Sequence, residues 1–81
     1  MRTYNPDGSY VETDKYGTYY YNSDGEPHRD GGLPAIEYVD GSKAYYVNGQ
    51  RHRDGGLPAV EGYDGTKSYW VNDVFIRREK A

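Results

Sequence analysis

Cysteine is absent from the 81 residues, so neither a disulfide nor a thiolate metal site can hold this chain together. Phenylalanine, tryptophan and methionine occur once each. Aliphatic residues are few. No apolar run approaches the length of a membrane span. The opening Met1-Arg2-Thr3-Tyr4-Asn5-Pro6 has no apolar stretch of the kind a secretory signal needs. Basic charge is also in deficit: the net charge is −3, which argues against affinity for nucleic-acid phosphates. These absences lead to the expectation of a cytoplasmic protein that contacts neither membrane nor nucleic acid directly. A chain this short buries a modest core, so stability must come from repeat stacking, aromatic burial or self-association.

Tyrosine fills the gap, with eleven residues. Its large ring and polar tip suit half-exposed strands and binding faces. The chain also repeats. His28-Arg29-Asp30-Gly31-Gly32-Leu33-Pro34-Ala35 returns as His52-Arg53-Asp54-Gly55-Gly56-Leu57-Pro58-Ala59, a step of 24 residues. The same step carries Gly17 to Gly41 to Gly65, and Tyr21 to Tyr45 to Tyr69. A fixed step marks one supersecondary unit written several times. The reading is one repeat domain over residues 1–81, with units at about 12–35, 36–59 and 60–81 and an opening hairpin at 3–14.

Turn chemistry supports strands throughout. Asn5-Pro6-Asp7-Gly8, Asp24-Gly25, Asp40-Gly41, Asn48-Gly49, Asp64-Gly65 and Asn72-Asp73 read as turns, with Asp24-Gly25 of the type I′ kind. Strands are expected at 9–13, 18–22, 35–39, 43–47, 50–52 and 67–71. Segments 29–34 and 53–58 read as crossover loops. No window between the turns is long enough for a helix. The fold class is therefore all-β, a meander of antiparallel hairpins in one twisted sheet.

Strand alternation divides the side chains. Tyr21, Tyr45 and Tyr69 share a face with Val47 and Val71, the expected core. Tyr46 and Trp70 point the other way, flanked by Arg and His. An aromatic–Arg surface has the composition of an interaction hot spot. Its candidate binding residues are Tyr46, Trp70, His28, Arg29, His52 and Arg53. The bland alternative puts Trp70 in the main core.

The Arg-Asp-Gly-Gly blocks have two readings. In one, Asp accepts from the following glycine amides, Gly supplies positive φ and Arg pairs with a carboxylate. In the other, amides and Arg form an anion nest. Two histidines without a carboxylate partner make a weak metal signal, so no metal is assigned. His-Arg-Asp also opens the catalytic loop of protein kinases, but there Leu follows, and here twin glycines do. Four scattered serines and two histidines give no nucleophile–base–orienter set, so no catalytic residue and no cofactor are expected.

The run Asp-Gly-x-x-x-Tyr-aromatic-Val-Asn-Gly-x-x-His-Arg-Asp-Gly-Gly-Leu-Pro-Ala, seen whole around Tyr46-Val47-Asn48-Gly49, resembles MORN-type repeats. It is most similar to the divergent, antitoxin-like variant of bacterial, phage and giant-virus proteins, from about Tyr19 to Val71. The resemblance implies consecutive antiparallel hairpins in an elongated sheet that binds proteins or lipids, with no catalytic residue.

Two functions follow as expectations. One is a non-enzymatic protein-binding module. The other is a small phage or viral inhibitor of a bacterial defence system, an anti-CRISPR-like effector blocker or a sponge for a small anionic or nucleotide signal. The end strand Val74-Phe75-Ile76 is more apolar than its counterpart Gln50-Arg51-His52. It reads either as a cap or as a homodimer edge.

Overall fold

The computed structural model describes residues 1–81. It contains ten strands and no helix: β1 Arg2–Tyr4, β2 Tyr10–Asp14, β3 Gly17–Tyr21, β4 Ile36–Tyr38, β5 Lys43–Ala44, β6 Tyr46–Val47, β7 Gln50–Arg51, β8 Val60–Glu61, β9 Lys67–Val71 and β10 Val74–Glu79. The fold is all-β, as expected. Eight strands form one antiparallel meander in the order β1-β2-β3-β4-β5-β8-β9-β10. The pair β6–β7 forms a separate two-stranded ribbon. The segment expected as one strand over 43–47 is thus interrupted at Tyr45, where the chain leaves the main sheet. There the Tyr45 N–H donates to the Ala59 carbonyl at 2.6 Å, and the Tyr45 carbonyl accepts from His52 N–H at 3.1 Å.

Two kinds of turn recur in the hairpins. Asn48-Gly49 and Asn72-Asp73 are two-residue turns with positive φ at both positions, 49° and 82°, then 49° and 67°. Their twist matches that of the flanking strands. The turns ending at Gly8, Gly25, Gly41 and Gly65 are a residue longer. In each, the glycine amide donates to the residue three positions earlier, at 3.0 Å, and only the glycine has positive φ. Asp24-Gly25 is therefore not a type I′ turn. Its Asn22 Oδ1 accepts from the amides of Asp24 and Glu26 and stabilises the longer form.

That extra residue alters the expected register. His28 N–H donates to the Tyr20 carbonyl, as His52 N–H does to Tyr45. Tyr20, not Tyr21, is therefore the counterpart of Tyr45. A shorter turn at Lys15-Tyr16, where Asp14 pairs with Gly17, compensates the longer one. The 24-residue step survives in the loops while β3 is displaced by one.

The buried hydrophobic set is small: Ala35, Ala44, Tyr45 and Ala59. Pro34 and Pro58 are buried beside them. Val47 and Val71 are 40% and 44% exposed, so the expected valine core does not form. Likewise the Leu33 and Leu57 tips, each 49% exposed, do not cover the sheet. The Pro-Ala that follows each leucine inserts instead, because only short side chains fit where loop and sheet backbones exchange hydrogen bonds. Order beyond this core comes from aromatic rows. Tyr4, Tyr10 and Tyr21 stack across β1–β2–β3 at centroid distances of 5.2 and 4.9 Å.

Gly17 shows how closely the backbones pack. A methyl group there would meet the Glu37 carbonyl oxygen at 2.5 Å and the Tyr38 Cα at 3.1 Å. Gly56 is the opposite case, with open space around it but a φ of 71°. Gly17→Ala should cost about 1–3 kcal/mol by forcing β3 from β4. Gly56→Val should also destabilise, through backbone strain of about 1–3 kcal/mol. Thermal melting of both variants checks this; wild-type melting would contradict the close approach or the left-handed turn.

Candidate functional site

The two loops at 28–33 and 52–57 stand as walls on the sheet. Between and beside them lie three clefts of about 270–300 Å³. The first is lined by Tyr10, Tyr20, Tyr21 and the 28–30 wall. The second lies between the two walls, over Tyr45, Tyr46 and Val47. The third lies between the 52–57 wall and Ile76-Arg77, over Tyr69, Trp70 and Val71. One cleft thus recurs per unit.

The walls are set by histidine. Asn48 N–H donates to His28 Nδ1, and Asn72 N–H donates to His52 Nδ1, each at 3.0 Å. A backbone amide only donates, so Nδ1 is an acceptor and the ring proton sits on Nε2. Nε2–H then donates to Asp30 Oδ1 at 2.8 Å and Asp54 Oδ1 at 2.7 Å. The imidazoles in this tautomer are neutral, so these contacts are hydrogen bonds rather than ion pairs. The aspartates therefore take histidine as partner, not the glycine amides expected from the sequence. The adjoining turn residues complete the joint: Gly49 N–H donates to the Pro27 carbonyl and Asp73 N–H to the Arg51 carbonyl, both at 2.9 Å.

Arginine holds each loop base. The Arg29 guanidinium lies 3.8 Å from the Tyr20 ring centroid, and Arg53 lies 3.8 Å from Tyr45. Arg29 Nη1 donates to the Pro34 carbonyl and to Glu37 Oε1, both at 3.2 Å. Arg53 Nη1 donates to the Pro58 carbonyl at 3.1 Å and pairs with Glu61 at 3.6 Å. The pairing of Arg with a carboxylate and the positive φ of Gly31, Gly32, Gly55 and Gly56 match the structural reading of Arg-Asp-Gly-Gly. Arg77, one step beyond Arg53, lies 4.0 Å over Tyr69 and pairs with Glu79. Ile76 replaces the histidine and forms a bulge in β10.

Trp70 is half-buried, neither free surface nor full core. Arg51 stacks on it at 4.2 Å and Phe75 meets it edge-on at 5.3 Å. Its Nε1–H is buried without an acceptor. Tyr46 is half-buried too. The structure thus brings His28, Arg29, Tyr46, His52 and Arg53 together at the second cleft, and His52, Arg53 and Trp70 at the third. Sequence reasoning missed Leu33 and Leu57 on the walls, and Arg51 and Arg77 against the rings. Arg77 had a signal, its place on the 24-residue step.

Comparison with known proteins adds no relative: no family model, curated protein or solved structure matches this chain. The fold and site define an open repeat sheet bearing a row of aromatic clefts.

Two tests follow. His52→Ala should cost about 1–2 kcal/mol, because the Asn72 amide loses its acceptor. His52→Asn should recover much of this, since its Oδ1 hangs from Cγ where Nδ1 did. Asp54→Ala should be nearly neutral, its carboxylate being 94% exposed. Thermal melts that rank Asp54→Ala as the worst of the three would refute the joint.

The second test is pH. Burial raises the phenol pKa of Tyr19, Tyr21, Tyr38 and Tyr45 above the ordinary 10.0. Their contribution is complete below pH 10.0 and is lost as pH rises through the higher folded values. The hydroxyl and amide of Ser9 lower the Asp7 pKa; the Tyr16 amide, foremost, lowers Asp14; and the Thr66 amide, foremost, lowers Asp64. Their contribution is present above the ordinary 3.8 and is lost as pH falls through the lower folded values. The melting temperature should fall as pH rises beyond 10.0 and as it drops below 3.8.

Proposed function

We propose that this chain is a non-enzymatic protein-binding module that docks its partner along the second and third clefts. One observation carries the reading. The arginines and histidines of the walls are engaged within the molecule, whereas the apolar groups around the clefts stay open. Arg29, Arg53, His28 and His52 each have intramolecular partners. Leu33, Val47, Leu57, Val71 and Ile76 are 40–55% exposed on the same clefts. Apolar and aromatic surface ringed by polar groups suits protein contact better than anion capture. A nucleotide sponge has less support, since its arginines are already committed. A blocker of a bacterial defence effector, acting in the host cytoplasm, is one form of protein binding. The resemblance to MORN-type repeats favours binding over catalysis in the same way. No helix is long and apolar enough to cross a membrane.

A second copy of the chain is a partner this reading admits, through Val74, Phe75 and Ile76. These are 61%, 48% and 55% exposed, on a strand paired only with β9. Phe75 packs on Trp70, so Val74→Asp probes this edge more cleanly than Phe75→Asp.

The test is quantitative capture from the source cell, with Leu57→Ser and Val74→Asp beside the wild type. Leu57 lines both clefts and is half-exposed, so its loss should weaken a specific partner at least about tenfold without changing the melting temperature. If that partner is the chain itself, Val74→Asp abolishes the dimer seen by sedimentation at roughly tens of micromolar. Equal capture by all three proteins would remove the clefts and the edge from the binding surface.

A further inference from the structure

We infer that the second and third clefts form a two-site cradle for a basic polyproline II segment, one helical turn per cleft; this rests on the protein-binding reading above. The spacing makes the first argument. Tyr45 directly follows β5, held by its N–H to the Ala59 carbonyl just before β8, and Tyr69 lies on β9, with β8 between β5 and β9. Neighbouring strands lie about 4.8 Å apart, so equivalent cleft positions recur about 10 Å apart. Polyproline II rises about 3.1 Å per residue with three residues per turn, so residues i and i+3 share a face about 9.3 Å apart. Successive turns therefore meet successive clefts. A β-strand ligand repeats one face every two residues, about 6.7 Å, and falls out of step.

The surface of the clefts makes the second. Aromatic-lined grooves suit proline-rich segments, whose rigid form loses little entropy on binding. Tyr45 and Tyr46 line one cleft, and Tyr69 and Trp70 the other. Leu57 stands on the ridge between them and lines both. A straight helical cylinder would ride on that ridge, whereas a three-fold ligand straddles it with a residue on each side.

Charge makes the third. Asp30 and Asp54 stand on the walls with carboxylates 94% exposed. Their histidine partners are neutral, and the nearby arginines are offset by Glu37 and Glu61. The rims are therefore acidic on a chain of net charge −3. Arginine or lysine between the prolines would meet them.

Trp70 is the sole tryptophan and lines the third cleft, so its fluorescence reports occupancy in the full chain. The probes are peptides of repeated Pro-Pro-Arg, Pro-Pro-Glu and Gly-Gly-Arg triplets, and an amphipathic basic helix. Pro-Pro-Arg should shift the emission saturably. Pro-Pro-Glu should bind at least about tenfold more weakly, and Gly-Gly-Arg should show no saturable shift. Leu57→Ser should weaken Pro-Pro-Arg at least about tenfold at an unchanged melting temperature, and Leu33→Ser, which touches only the second cleft, by less. Binding of Gly-Gly-Arg as tight as Pro-Pro-Arg would reduce the effect to charge and overturn the inference, as would preference for the helix. Silence of every peptide, with cellular capture still lost in Leu57→Ser, would overturn the polyproline assignment and leave protein binding standing. Silence of every peptide with capture indifferent to Leu57→Ser would overturn both.

Discussion

A hydrogen bond from a turn amide to an imidazole, made twice, sets the relation between units. Asn48 and Asn72 donate to His28 and His52 from two-residue turns of positive φ. Histidine serves because one ring nitrogen accepts while the other donates. The bond to the turn fixes the tautomer, and the tautomer in turn presents a proton to Asp30 or Asp54. Backbone bonds to the Pro27 and Arg51 carbonyls then lock the same joint. With so few side chains fully buried, these directional contacts carry order that a larger domain would draw from its core.

Stacked guanidinium groups do the rest. Each of Tyr20, Tyr45 and Tyr69 carries an arginine on one ring face. Arginine suits the position because its planar group stacks and still reaches a carbonyl and a carboxylate with its edge. Arg29 ties ring, Pro34 and Glu37 together, and Arg53 ties ring, Pro58 and Glu61. Loop, sheet and next strand are joined through one side chain in each unit. In the last unit Arg77 keeps the stack but pairs within β10, with Glu79.

Much of the fold was legible because turns are local. Asn48-Gly49 and the two Gly-Gly loops declare themselves in a few residues. Register was less legible, because equal spacing in sequence hides two opposite changes in turn length. Tyr21 therefore took the place that belongs to Tyr20. The exposure of Val47 and Val71 was misread for a different reason: alternation says which residues share a face, but not whether anything covers it. Of the candidate site, Tyr46, Trp70, His28, Arg29, His52 and Arg53 all lie on the clefts. The partners of the two histidines were not readable, since the turn amides that fix them lie twenty residues away.

The two joints share the same atoms and nearly the same lengths, and this bears on valency. A further copy of residues 36–59 would find on either side the contacts that its neighbours already make. It would add a cleft without requiring a new kind of interface. For a repetitive ligand, affinity would then grow by raising local concentration rather than by altering any single contact. Avidity in such a protein is set by the number of units, and the chemistry of each cleft is free to stay weak.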